Sequence, residues 1–280
     1  MPRTLTELLD EIKSVEPLPQ VSMRVLELSA REDVVPGELV EVIQTDAGVT
    51  AKVLKLCNSA YYGFQREIAS LPEAGNLLGT TTLVNLVLTS CAGRYFRNYG
   101  RCNPEATLRL WQASVASALA TSLLASRRRV DRNRAYTVGL IENIGQLVLQ
   151  RFLVEDASLV AAEIERGATL PAAEAIVFGL DHAEIGARLA SRWNFPELLI
   201  DSIRYHHAPD RSEIDPQMAA LGHLGEIATQ RLDLDWAESG RCEMSPRALA
   251  LCGFDAASFA ELDEPLYTEM AKAKGILEIA

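Results

Sequence analysis

Glu142 and Asn143 stand side by side in "GLIENIGQLVLQ", residues 139–150, a stretch otherwise so apolar that it reads as buried helix. A carboxylate and an amide in such a place either hydrogen-bond across a helix interface or line a polar pocket that holds a ligand. Neighbours on a helix project about 100° apart, so the two side chains need not share a role. Three histidines form the second group. His182 follows the capping residue Asp181, and His206 with His207 ends another helical stretch, where imidazolium would complement the negative end of the helix dipole. Five arginines, Arg127, Arg128, Arg129, Arg132 and Arg134, fall in "RRRVDRNR", the basic cluster of an acidic chain. They read as a solvated helix end whose charge suits the dipole, or as a patch for a phosphate or an acidic partner. Tyr61, Tyr62 and Phe64, beside Asn58, read as packing on a neighbour or as a recognition surface. Spacing alone offers no Ser-His-Asp or Cys-His set, and Gly37 and Gly48 do not make a phosphate loop.

These residues must be positioned by helices. Ser, Thr, Asp or Asn is repeatedly followed three residues later by Glu, the reciprocal capping pattern: Thr4 with Glu7, Ser70 with Glu73, Asp181 with Glu184, Asn194 with Glu197. Between such starts the apolar residues fall at helical spacing, as in Val21, Val25, Leu28 and in Val49, Val53, Leu56. Pro17 and Pro19 precede one helix, Pro36 and Gly37 another, and Ala208 with Pro209 stops a third. No hairpin signal competes, so the expected fold is all-α. The loop-like "RNYGRCNPEAT", residues 97–107, divides it into an N-terminal helical bundle, residues 1–101, and a second helical part, residues 102–280. In the last segment Leu266, Met270, Ala273 and Leu277 make an apolar stripe that either packs on its own chain or serves a dimer or partner contact.

Bulk properties narrow the classes of function. A chain of 280 residues can bury roughly 75% of its unfolded surface, enough for a large core without disulfides. It is 48% hydrophobic yet has no apolar run of the ~20 residues a membrane helix needs. The acidic N-terminus lacks the apolar core of a secretion signal, so a cytoplasmic location is expected. Five cysteines without a C-x-x-C pair read as reduced core thiols. A net charge of −11 disfavours general nucleic-acid binding.

Asn58, Ser59, Ala60, Tyr62 and Gly63, followed by Ile68, Ser70 and Leu71 and by Leu78 and Gly79, stand in an order and spacing that resemble the HDOD family, the HD-related output domain of bacterial signalling proteins. The likeness continues through Trp111, Gly139 to Leu147 and "FGLDHAEIGARLASRWNFPELLIDSIRYHHAP", covering about residues 15–210. It implies a two-part helical fold, a compact N-terminal bundle packed on a part related to HD phosphohydrolases. Catalytic HD proteins hold divalent metals through a His, a His-Asp dipeptide and further His or Asp residues. The resemblance sets Glu142 and Asn143 at the dipeptide, Ala113 at the first His, and Gly225 or Glu226 near the final Asp. Losing ligand groups at these positions should remove a hydrolytic centre.

The expectation is therefore a non-catalytic signalling module, without metal or cofactor, that acts through protein contacts. Its partner would be a histidine kinase, a diguanylate cyclase or a transcriptional regulator, and a homodimer is compatible with it. Glu142, Asn143, His182, His206 and His207 are the candidates for a remnant pocket. Two other readings stay open. One is a phosphohydrolase of altered ligand set, since Glu142, His182 and one of His206 or His207 could hold zinc or iron; the other is a nucleotide-binding sensor using the pocket with nearby arginines.

Overall fold

The computed structural model describes residues 5–29, 31, 33–99, 103–232 and 242–273. Among them every regular element is helical, with no strand. Helix α1 (Leu5–Ser14) is followed by α2 (Gln20–Ser29), α3 (Pro36–Gln44) and α4 (Ala47–Cys57). These last three pack on α5 (Leu71–Tyr99), and Val21, Val25, Leu39, Ile43, Val53 and Leu56 share a buried core with Leu83 and Val87 of α5. Gly79 interrupts α5 with φ 78 and ψ 172, a left-handed conformation that favours glycine, so the helix breaks there. Asn58, just after α4, fastens the following loop. Its Oδ1 accepts from the Ile68 N–H at 2.7 Å, and its Nδ2 donates to the Ile68 carbonyl at 2.9 Å and the Leu54 carbonyl at 3.0 Å.

The second part opens with α6 (Pro104–Arg128) and α7 (Arg132–Ile141), which pack together along their length. Thr121 Oγ1 joins them by donating towards Ala135 O at 2.8 Å. Then come α8 (Gly145–Glu165), α9 (Leu170–Phe178), α10 (His182–Arg192), α11 (Glu197–Tyr205), a 3-10 turn at Pro209–Arg211, and α12 (Pro216–Arg231), which packs on α6 and α7. Helix α1 lies against α8 and α10, where Glu11 pairs with Arg151 and Arg192 Nη1 donates to Ile12 O at 2.7 Å. Short helices α13 (Pro246–Cys252) and α14 (Ala256–Ala260) lead to α15 (Asp263–Lys272), which packs on α6 and buries Leu266, Met270 and Ala273. The C-terminal stripe is thus covered by its own chain; Leu277 lies outside the described residues.

Two of the four expected capping pairs sit where the sequence puts them. Ser70 Oγ accepts from Glu73 N at 3.3 Å, and Asp181 accepts from Glu184 N at 2.7 Å. Thr4 lies outside the described residues. The Asn194–Glu197 pair is not a cap: Asn194 has φ 55 and ends α10 in the left-handed conformation, while Pro196 occupies the N-cap of α11 without a side-chain bond. Asn tolerates the left-handed region better than other non-glycine residues, so it serves as a terminator here.

Candidate functional site

Glu142 and Asn143 do not sit inside a helix. Helix α7 ends at Ile141 and α8 begins at Gly145, with Glu142 as C-cap. Across this junction the ladder tightens to three-residue steps, Ile144 N to Ile141 O at 3.0 Å and Gln146 N to Asn143 O at 3.0 Å. The turn delivers Glu142 and Asn143 into the interior, where both are buried. The expected hydrogen bonding is only half present. Ser117 Oγ on α6 donates to Glu142 Oε1 at 2.5 Å, while Glu142 Oε2 and Asn143 Oδ1 are buried without a hydrogen-bond partner. Burial, and then the nearby Glu226, push the Glu142 carboxyl well above the usual carboxylate range, against the opposing effect of the Ser117 hydrogen bond. Ala113 lies one helical turn before Ser117 and is buried like it, so α6 offers a methyl and a hydroxyl here rather than an imidazole.

Two glycines let the helices close on this point. A Cβ on Gly145 would stand 2.0 Å from the His182 carbonyl oxygen, and one on Gly222 of α12 would stand 2.7 Å from Glu142 Oε2 and 3.5 Å from His206 Cβ. Main chain and carboxylate occupy space that any larger residue would need.

The histidines are not solvated helix caps. His182 is fully buried at the start of α10, and Glu174 of α9 holds it twice, accepting from its N–H at 2.9 Å and lying 2.6 Å from its Nδ1. Gln146 Nε2 donates to the other Glu174 oxygen at 2.5 Å. Burial opposes charge on His182, yet Glu174, by charge and hydrogen bond, keeps its pKa above the ordinary histidine value. His206, expected as a dipole-complementing imidazolium, is fully buried instead, and burial followed by His182 lowers it to about 3. Burial, His206 and His182 also depress His207 well below its ordinary value. These two rings are neutral because their helix end is covered by the protein, where a charge would lose its water.

The three rings converge. His207 Nε2 lies 2.8 Å from His182 Nε2, and the ring centroids of His206 and His207 are 4.0 Å apart. Three residues that the sequence reading did not connect to the site border this cluster. Glu174 orients His182; Cys242 Sγ lies 3.5 Å from His207 Nδ1; and His223 of α12 sends Nδ1 to the His206 carbonyl at 3.0 Å. Of the two residues near the final position, Glu226 places Oε2 3.7 Å from His207 Nδ1, whereas Gly225 faces Thr121 and Ser117.

The arginines divide. Arg127 and Arg128 close α6 and suit its dipole, and Arg129 caps it with φ 57. Arg132 and Arg134 instead stand in the first turn of α7 behind the Asp131 cap, the end that repels a cation, and Arg134 pairs with Asp131 at 3.3 Å. Arg128 stacks on Phe254 at 4.0 Å. Arg132 reaches a cleft of about 700 Å³ between Tyr61, Tyr62 and α15, across which the Tyr61 hydroxyl donates to Glu269 at 3.1 Å. Tyr61, Tyr62 and Phe64 are partly buried against the core while the two tyrosines also line this cleft. None of the remnant-pocket candidates lines it.

The described residues form an all-helical fold, with Glu142 and Asn143 buried at the junction of α7 and α8. Residues 15–209 match the HDOD domain, and the chain belongs to the HDOD family. An uncharacterized protein of Treponema pallidum (strain Nichols) is 31% identical over 199 residues, 69% of this chain and 38% of that protein. The chain therefore matches well under half of that relative's length. Among solved structures, an HDOD domain protein of unknown function from Geobacter sulfurreducens superposes with a TM-score of 0.79 at 25% identity, over 97% of each chain. A protein from Marinobacter aquaeolei VT8, described as a candidate signal transduction protein, gives a TM-score of 0.79 at 23% identity, over 100% of this chain and 62% of that one. One from Shewanella amazonensis SB2B, described as a candidate phosphohydrolase, gives 0.71 at 23%, over 97% of each. Among the described residues no helix is long and apolar enough to cross a membrane.

Proposed function

We propose that this HDOD protein is a signal-transduction module that acts through protein contacts and does not hydrolyse phosphoesters at the HD positions. One observation carries the reading: a serine hydroxyl occupies one Glu142 oxygen at 2.5 Å, and a methyl, Ala113, stands one turn earlier on the same helix. Side chains that a hydrolytic centre would need as ligands are replaced there by packing and an internal hydrogen bond. The Marinobacter neighbour's description as a candidate signalling protein supports the same reading by analogy of fold. We place the division between the two parts at residues 101 and 102, between α5 and α6, with α1 packing on α8 and α10 of the second part. A histidine kinase, a diguanylate cyclase or a transcriptional regulator is the class of partner in view. The test has two arms. Purified protein is assayed against a generic phosphodiester and a nucleotide panel with added divalent metals, and the tagged chain is cross-linked in its own cells and recovered with its partner. Background hydrolysis together with recovery of one of these signalling classes supports the reading; turnover that disappears in Glu142→Ala overturns it.

A nucleotide-sensing reading gains one specific observation, the 700 Å³ cleft with Arg132 and two tyrosines, though this lies away from the remnant pocket. Calorimetric titration with the same nucleotide panel, repeated on Arg132→Ala, decides it.

A further inference from the structure

The cleft between Tyr61, Tyr62 and α15 encloses about 700 Å³, a volume typical of small-molecule sites, and lies where the first part meets the second. Its walls come from the loop after α4, from α5 beyond the Gly79 break, from α6, from the start of α7 and from α15. Two charges on these walls are left over by the fold. Arg132 makes no ion pair among the described residues, because Asp131, the acid beside it, pairs with Arg134 at 3.3 Å. It stands in the first turn of α7, where the helix dipole disfavours a cation and favours an anion, so helix stability does not explain the guanidinium. On α15, Glu269 is satisfied, with Oε1 2.8 Å from Lys272 Nζ and Oε2 accepting from the Tyr61 hydroxyl at 3.1 Å. Glu264 makes no ion pair among the described residues, neither with Arg132 nor with Arg231, which takes the adjacent Asp263.

Hydrogen bonding adds a second demand. Asn85 Oδ1 and Asn133 Oδ1, both on residues that border the cleft, are buried without a hydrogen-bond partner, and Asn133 Nδ2 is already committed to Thr81 Oγ1 at 3.0 Å. Both amide oxygens call for a donor. An ionised carboxylate or phosphate carries none, while an ammonium carries three. We propose that this cleft binds a small zwitterion of the amino-acid class, its carboxylate held by Arg132 and its ammonium directed to Glu264 and an amide oxygen. A guanidinium takes a carboxylate through two parallel charge-assisted hydrogen bonds, and the unmatched acid on α15 answers the opposite charge of the same ligand. Leu119, Leu123 and the Tyr62 ring add apolar surface, so an apolar side chain fits best.

A nucleotide suits the same walls less well. Its phosphates would meet a single unpaired guanidinium with the carboxylates of Glu264 and Glu269 on the same cleft, well inside the distance of roughly 8–10 Å over which salt fails to screen like charges. The zwitterion refines the sensing role raised above for this cleft, on which it rests; the protein contacts of the signalling reading do not depend on it. Tyr61 belongs to the first part and α15 to the second, so occupancy favours the arrangement in which both walls touch the ligand. A ligand with that preference biases a two-part module.

The full chain is titrated calorimetrically with leucine, methionine and phenylalanine, each beside its analogues lacking the ammonium or the carboxylate, and with AMP and ATP. The expected result is saturable one-to-one binding of at least one of these amino acids with a rise in Tm, and no binding of either nucleotide. Both analogues of the bound amino acid should bind about 10-fold or more weakly. Arg132→Ala and Glu264→Gln, at exposed positions, should each weaken binding by a similar factor, while Arg134→Ala, whose guanidinium already pairs with Asp131, leaves it unchanged. Absence of binding by all of these amino acids overturns the proposal, as does parent-like affinity in Arg132→Ala or Glu264→Gln, or an analogue that binds as well as its amino acid. Equal loss in Arg134→Ala assigns the effect to the general charge of the arginine cluster and overturns it too. Saturable binding of AMP or ATP that Arg132→Ala abolishes gives the cleft to nucleotides and has the same consequence. No partner protein enters these titrations, so their failure leaves the protein-contact reading standing, and failure to recover a partner leaves the cleft proposal standing.

Discussion

Replacing Gly145 by Ala tests the claim that helix proximity, and not sequence motif alone, builds this centre. The added Cβ would meet the His182 carbonyl oxygen at 2.0 Å and the Gly186 nitrogen at 2.8 Å. Both are main-chain atoms inside α10, so neither can swing away. Non-bonded atoms rest at about 3.5 Å, which requires α8 and α10 to part by roughly 1.5 Å. Overpacking of this kind costs about 1–3 kcal/mol. The displacement also loosens the contact between His182 and the Glu174 carboxylate, a charge-assisted bond worth about 1.5–3 kcal/mol. Alanine's helix propensity returns at most about 1 kcal/mol. The net expectation is a loss of about 2–5 kcal/mol, read from urea midpoints at constant slope. Gly37→Ala is the control. It lies in the first turn of α3 with nothing within 4 Å of its Cβ position, and should be neutral or up to about 1 kcal/mol stabilising. If Gly145→Ala unfolds within about 0.5 kcal/mol of the parent, the close approach of α8 and α10 is wrong, and with it the placing of His182.

Asn58→Ala should cost about 1–3 kcal/mol by denaturant titration, because three hydrogen bonds to the Leu54 and Ile68 main chain go at once; a loss below about 0.5 kcal/mol would contradict the loop-fastening role. Asn143→Ala, by contrast, removes a buried oxygen that has no hydrogen-bond partner, so the cavity cost is partly offset and the change should stay within about 1 kcal/mol. A measured loss above about 2 kcal/mol would reveal a bond that this geometry lacks. Tyr136→Phe isolates an alkaline effect: burial pushes the phenol up to about 12, although the 2.9 Å contact with Thr89 pulls the other way. Between pH 10 and 12 the unfolded tyrosine ionises first while the native one keeps its proton, so the parent loses stability as pH rises, by up to about 3 kcal/mol that the phenylalanine variant does not lose. Unfolding free energies of the two proteins that fall in parallel from about pH 9 to 12 would refute it.

Helices were legible because their signals are local. Asp181 announces α10, Pro36 opens α3, and the stripe of Leu266, Met270 and Ala273 does face its own chain. The same kind of signal failed at Asn194 because asparagine suits both ends of a helix, and only Pro196, which takes the following cap, decides between them. Glu142 and Asn143 could be recognised as anomalous in an apolar stretch. That they occupy a tightened junction depends on α8 being drawn onto α10, which no periodicity records.

The histidines mark where sequence reasoning stops. Their positions at helix ends were readable, and helix ends usually lie in water, so a charged imidazole was the physically ordinary expectation. What reverses it is tertiary: α12 and the chain at Cys242 close over the end of α11, and Glu174 reaches His182 from the preceding helix. A histidine's chemistry rests on which nitrogen carries its proton, and that is settled by whatever touches the other nitrogen. For His182 the settling group is a carboxylate eight residues earlier, beyond the left-handed turn at Gly179, and for His206 it is a carbonyl three residues back in its own helix. Only the second contact is local enough to be foreseen, and by itself it says that His206 presents a lone pair, not what the lone pair meets. The convergence with His182 and His207 gives that nitrogen its meaning, and it arises from the packing of α10 against α11.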